Sequence, residues 1–164
     1  MNAELGVVCG RFQPFHLGHA EYVKAAKGFC KVLLVGITNP DLSDLQVELT
    51  SLHRSEVHAN PFNYFERMLM IRGCLHELGI DDAQVFFTPL PITEPGRLQH
   101  YIPRFAVNFL TIYDSWGERR QKLFEEAGLK VNVLWKRSDQ TRITSGSEIR
   151  RRMRSDMAWT RLRG

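Results

Sequence analysis

The stretch Leu5-Gly6-Val7-Val8-Cys9-Gly10-Arg11-Phe12-Gln13-Pro14-Phe15-His16-Leu17-Gly18-His19 decides how the rest of the chain is read. Residues 5–8 are a short apolar run of strand length. Gly10, Pro14 and Gly18 punctuate the segment after it, and a helical stretch runs from about Gly18 to Gly28. The turn is neither GxGxxG nor GxxxxGK[ST], so the common dinucleotide and P-loop readings do not apply. Its ingredients nevertheless suit a polyphosphate. Gly10 permits close backbone approach, and Gly18 lets an anion near the positive end of the helix. His16 and His19 are three apart, so both can point to one side of the first turn. Imidazole N–H groups donate to phosphate oxygens, and a protonated ring adds charge. Arg11 adds a bidentate donor. Two histidines at this spacing can also ligate a metal, but no third ligand is evident nearby.

Outward from this stretch, residues 32–37 form a second apolar run, continuous rather than alternating, as in strands buried on both faces. Residues 38–60 are polar and irregular, a long loop that reads either as plain surface or as a lid over an acceptor, with His53, Arg54, Glu56 and His58 in it. Asn60-Pro61 reads as the cap and first residue of a helix that ends at Gly79. Strands come next at 85–87, 107–113 and 131–135. A helix over 118–127 stops at Gly128, and a last helix starts near Ser145. Strands alternating with helices predict an α/β, doubly wound parallel sheet of five or six strands with helices on both faces. Ligands in such sheets bind beyond the carboxyl ends of the strands, at a switch point. The loops at 9–19, 38–60, 88–100, 114–117 and 136–147 therefore compete for the site.

The chain has 164 residues, 43% hydrophobic and 24% charged, which predicts one ordinary globular domain over 1–164 and excludes a disordered tail or a fibre. No apolar run approaches the roughly 20 residues of a membrane helix, and no signal-like segment opens the chain. Cys9, Cys30 and Cys74 are widely spaced, without a CxxC pair. They read as buried thiols in a reducing compartment, so a cytoplasmic location is expected. The net charge of +4 is concentrated: residues 136–164 carry nine Lys or Arg against three acids, and residues 1–135 carry 13 against 15. Such a cluster is a phosphate site, a nucleic-acid patch or a solvated helix face.

Within that cluster, Thr144-Ser145-Gly146-Ser147-Glu148-Ile149-Arg150-Arg151-Arg152-Met153 opens the final helix. Ser145 and Glu148 have capping-box spacing. Ser147 and the first-turn N–H groups can receive a phosphate. Arg150 lies about one turn beyond Gly146 and can reach the same anion. Arg151, Arg152 and Arg154 read as a solvated basic face.

The segment Gly10 to His19 closely resembles the HxGH signature of the nucleotidylyltransferase superfamily, and looks most like the archaeal-type nicotinamide mononucleotide (NMN) adenylyltransferases. Thr144 to Met153 is similar to that superfamily's second motif, often written ISSTEIR, with Ser147 where Thr is usual. Asn60-Pro61-Phe62 to Glu66-Arg67 is a lesser match. The resemblance implies a Rossmann-like fold of nucleotidylyltransferase type. It also implies in-line transfer of AMP from ATP to a phosphorylated small molecule, NMN giving NAD first of all, with pyrophosphate leaving and Mg2+ bridging phosphate oxygens. Because the attacking phosphate is already an anion, the work is to hold two anions in line and neutralise the leaving group. By this pattern His16, His19 and Arg150 are the catalytic donors. Gly10, Arg11, Phe12, Gly18, Ser145 and Ser147 bind the nucleotide.

Two departures bear on the acceptor. Family members that use NMN stack its ring on an aromatic residue, commonly Trp, after the third strand. Residues 91–101 here have no Trp, and Tyr101 or His100 is the substitute. Asp114 and Trp116 stand where the family often has a Ser-Gly-Asn type loop, and Trp116 is either the stacking ring or core. Arg67, Tyr101, Asp114 and Trp116 are thus the candidate acceptor residues. An adenylyl- or cytidylyltransferase acting on another phosphate- or phosphonate-bearing acceptor, with CTP in place of ATP, is the alternative. A non-catalytic nucleotide sensor is a second, and nucleic-acid binding through the basic C-terminal end is weak, with no known binding module. The resemblance leaves room for a homo-oligomer. The C-terminal Trp159-Thr160-Arg161-Leu162-Arg163 reads as a cap on the fold or an interface.

Overall fold

A computed structural model describes residues 2–43 and 56–155. The elements run β1 (Ala3–Gly10), α1 (Leu17–Lys27), β2 (Cys30–Thr38), α2 (Tyr64–Glu77), β3 (Val85–Leu90), β4 (Val107–Ile112), α3 (Ser115–Glu126), β5 (Lys130–Lys136) and α4 (Gly146–Ser155). Five strands form one sheet in the order β3-β2-β1-β4-β5. Every pairing is parallel. The alternation of strand and helix dictates this, because parallel neighbours need a crossover and right-handed crossovers put successive helices on opposite sides when the winding reverses.

The side chains of β1 divide by period two. Val8 joins a core built with Val23 and Ala26 of α1 and Ile71 and Leu75 of α2. Val7 and Cys9 join a second core with Leu98, Ile102 and Phe124 of α3. The sheet is therefore covered on both faces. β1 is the central strand, and Gly6 lets it in: a Cβ there would sit 2.6 Å from Cys30 Sγ and 2.8 Å from Phe109 Cε2.

Three boundaries differ from the sequence expectation. Helix α2 starts at Tyr64, not at Asn60-Pro61. Asn63 is the cap, in a full capping box with Glu66. Asn60 is buried instead and accepts from Arg11 Nη1 at 3.3 Å. Helix α3 starts three residues earlier than expected, because Asp114 caps it by accepting from Gly117 N at 3.0 Å. The long loop is partly structured: Val57–Ala59 form a 3-10 turn, with Glu56 and His58 exposed and paired at 2.9 Å. His53 and Arg54, and the C-terminal segment 156–164, lie outside the described residues.

Candidate active site

β1 runs toward its neighbours on both sides, but its contact with β4 is brief. The ladder pairs only Gly6 with Val107 and Val7 with Asn108. With β2, by contrast, β1 stays in register to Gly10. The strand order reverses at β1, so the tips of β1 and β4 bound the switch-point crevice. The cleft there is lined by residues 9–13, His16, Gly18 and His19, by Thr111, Tyr113 and Asp114 at the end of β4, and by residues 142–147 and Arg150.

The loop from β1 to α1 is held from several sides. Phe12 adopts φ 54°, a left-handed conformation uncommon for a residue with a Cβ. Its ring is 1% exposed and stands edge-on to His19, with centroids 4.9 Å apart. The space a Cβ on Gly10 would need is taken by that ring, at 2.9 Å. Packing against Phe12 is thus by itself a reason for glycine at position 10, and Phe12 forms a buried wall of the cleft. Gln13 Nε2 donates to Phe62 O at 2.7 Å and its Oε1 accepts from Phe62 N at 3.0 Å, pinning the loop to the approach of α2.

His16 caps α1 by accepting from Gly18 N at its Nδ1, 3.1 Å away. A Cβ on Gly18 would lie 3.1 Å from His16 Cε1, so glycine keeps that cap in place. With Nδ1 accepting, a neutral His16 carries its proton on Nε2, ready to donate. His19 stacks on His16, with centroids 3.7 Å apart. Its Nδ1 is buried and has no hydrogen-bond partner among the described residues. Burial, then Arg142 and Arg150, push the pKa of His16 down to about 4. Burial, then His16, Arg11, Arg142 and Arg120, hold His19 well below the ordinary imidazole range. Both rings are neutral donors at physiological pH in the free protein.

Helix α4 brings the second motif to the first. Arg150 is buried and donates to Gln13 O at 2.6 Å and to Ser147 Oγ at 3.1 Å. Ser145 Oγ accepts from Glu148 N at 3.2 Å, which is half of a capping box. The other half is absent because the Glu148 carboxylate is engaged with Arg151 and Arg152. Those two arginines are exposed and share that one carboxylate on their own helix.

Of the four candidate acceptor residues, two reach the cleft and two do not. Trp116 lines it, half-buried, with the Arg120 guanidinium 5.0 Å from its ring. Asp114 lines it as the cap of α3 and pairs with Arg142 at 3.2 Å. Arg67 is a correction: its side chain is fully buried beneath the loops. It donates to Arg11 O (3.0 Å), Thr38 O (2.8 Å), Asn39 O (2.9 Å) and Asn63 O (3.2 Å), so it ties the tip of β2 to α2. Burial lowers its pKa only to about 10, which leaves it charged. Tyr101 is the second correction: it packs against the core on the α3 side, because Leu98 and Ile102 on either side of it are buried there.

Three cleft residues carried no signal in the sequence. Tyr22 and Arg120 bridge the tips of β1 and β4. Arg142 sits on the loop before α4, with its guanidinium 4.7 Å from the Tyr113 ring and 2.5 Å from Asp139. Among the described residues the cleft is lined by four arginines and one carboxylate, Asp114. That balance suits two anionic substrates. No cluster of three His, Cys, Asp or Glu able to hold a metal occurs among the described residues, and none of their helices is long and apolar enough to cross a membrane.

A family model described as cytidylyltransferase-like matches residues 7–152. A phosphonoformate cytidylyltransferase of Streptomyces viridochromogenes is 41% identical over 160 residues, covering 98% of this chain and 86% of the relative. Nicotinamide-nucleotide adenylyltransferases are more distant. That of Saccharolobus solfataricus is 30% identical over 78% of this chain and 67% of its own. That of Thermococcus sibiricus is 30% identical over 96% and 77%. The crystal structure of a bifunctional NMN adenylyltransferase/ADP ribose pyrophosphatase from Francisella tularensis superposes with a TM-score of 0.65 at 22% identity. It matches 94% of this chain, which spans only 43% of that one, and it shows the fold alone.

Proposed function

This chain belongs to the cytidylyltransferase-like family of nucleotidyltransferases, and from that premise we propose that it transfers CMP from CTP to a small phosphonate-bearing acceptor. The observation that carries this reading is the 41% identity, over nearly the whole chain, to a relative named for CMP transfer to phosphonoformate. The loop after β3 supports it: Tyr101 packs on the α3-side core and neither it nor His100 lines the cleft, so that loop places no ring there on which to stack a nicotinamide.

In this reading an acceptor oxygen, already an anion, attacks the α-phosphorus of CTP. A new P–O bond forms, the bond from the α-phosphorus to the bridging oxygen breaks, and pyrophosphate leaves with the electron pair. No proton need be moved. His16 Nε2–H, His19, Ser147 and Arg150 are the donors that would hold the triphosphate against the N-termini of α1 and α4. Mg2+ would enter with the nucleotide and take its ligands mainly from phosphate oxygens, since Asp114 is engaged with Arg142 and the cap of α3.

AMP transfer from ATP to NMN is the second reading. The adenylyltransferases at about 30% identity favour it, and so does the Trp116 ring in the cleft. Pyrophosphate release with Mg2+, pairing CTP or ATP with phosphonoformate, methylphosphonate or NMN, separates the two. We expect release with CTP and a phosphonate, falling about 10²–10³-fold in His19→Ala. Release with ATP and NMN alone would replace the substrate pair. CTP binding without release from any pair would favour a sensor.

A further inference from the structure

Where β1 and β4 part, their freed main-chain groups are served by side chains. Tyr22 Oη accepts from Cys9 N at 3.3 Å and donates to Phe109 O at 2.5 Å. Arg120 donates to Cys9 O at 3.5 Å and to Thr111 O at 3.2 Å. A neutral donor such as Tyr22 suffices for this task. A guanidinium brings a charge that two carbonyls do not neutralise.

The polar side chains beside the Arg120 guanidinium among the described residues, the Cys9 thiol and the Tyr22 hydroxyl, are uncharged at neutral pH. No carboxylate among the described residues pairs with Arg120, although Arg72, Arg97, Arg137, Arg142, Arg151 and Arg152 each have one. Its Nε is buried and has no hydrogen-bond partner among the described residues. The Trp116 ring covers it from one side. Unlike Arg67, whose donors are taken up by four main-chain carbonyls, Arg120 lines a cleft with a donor to spare, which suits it to a bound anion.

Position says whose anion. Arg150 and Ser147 stand at the α4 end, where His16 feels the charge of Arg150 and Arg142. Arg120 stands at the strand tips, where it donates to Cys9 O and Thr111 O. The α4 end already holds the donors a triphosphate needs, so the strand-tip end is left for the other substrate. On the reading that the acceptor is a phosphonate, we propose that Arg120 anchors a second anionic group of the acceptor and so selects acceptors with a carboxylate beside the phosphonate. Phosphonoformate has such a carboxylate, and methylphosphonate does not.

The test is the ratio of kcat/KM for phosphonoformate to that for methylphosphonate, with CTP and Mg2+, in wild type, Arg120→Gln and Arg120→Lys. A ratio within one protein sample is unaffected by any fraction that fails to fold. We expect wild type to favour phosphonoformate and Arg120→Gln to lose about 10² of that ratio. The loss should come through the KM of phosphonoformate, with the KM of CTP held within about threefold. Arg120→Lys, which keeps a point charge but not the fork, should fall between. An unchanged ratio in Arg120→Gln, or a wild-type ratio near one, overturns the assignment. A raised KM for CTP at constant ratio moves Arg120 to the nucleotide side and also overturns it. Wild type inert toward both phosphonates overturns the phosphonate reading itself, and this assignment with it.

Discussion

His16 is held neutral by burial and by two neighbouring guanidiniums, Arg142 and Arg150, with its pKa at about 4. In the unfolded chain the imidazole titrates near about 6.5. Because the folded pKa is the lower one, protonation favours the unfolded chain. The stability tied to the neutral ring is fully present above about pH 6.5 and is lost as the pH falls toward about 4. His16→Asn keeps an N-cap acceptor for Gly18 N but has nothing to titrate. We therefore expect thermal melts between roughly pH 7 and pH 4.5 to show a steeper fall in Tm for wild type than for His16→Asn. Parallel curves would remove His16 from the pH dependence. The same depressed pKa bears on one expectation from the sequence: in the free protein the pair stands as neutral donors, without the charge of a protonated ring.

The helices show what local sequence encodes and what it leaves to packing. Residues 60–66 carry two competing start signals, Asn60-Pro61 and Asn63 with Glu66 three residues on. The second wins because Gln13, nearly fifty residues away, holds both backbone groups of Phe62. Phe62 is thereby kept outside the helix, and Asn60 is left to Arg11. No local rule contains that contact. Asn63→Ala should cost α2 about 1 kcal/mol in a denaturation midpoint, while the KM values stay near wild type, since Asn63 is exposed and away from the cleft. A larger loss, with raised KM values, would mean that the start of α2 sets the cleft loops as well. The run Leu5 to His19, by contrast, was legible at once, because strand, turn and cap residues there all point the same way. The second motif was legible for the same reason, down to Ser145 as cap.

At the scale of the whole molecule, the cleft exists because β1 and β4 separate after two paired residues. The alternation of elements predicts a switch point, but not which side chains fill it. Tyr22 lies mid-helix on an apolar face and reads as core. Arg120 lies on a helix with Arg119 and Lys122 and reads as solvated. Only the splay gives them main-chain groups to serve, and that is why these two residues were invisible while Asp114 and Trp116 beside them, and the motif residues of α1 and α4, were legible. If the two residues form one brace, weakening the buried half must be felt at the exposed half. Tyr22→Phe removes a hydroxyl that bonds Cys9 N and Phe109 O. Two buried main-chain groups then lack that partner, at a cost of roughly 1–3 kcal/mol. In urea the midpoint should fall with the slope unchanged, because the surface exposed on unfolding is the same. Cys9 O, to which Arg120 donates, sits on the strand tip that Tyr22 steadies. The preference for phosphonoformate over methylphosphonate should therefore drop severalfold in Tyr22→Phe, by less than in Arg120→Gln. A fallen midpoint with an undiminished preference would mean that the tip of β1 holds its position through β2 alone, and that Tyr22 supports the fold without supporting the site.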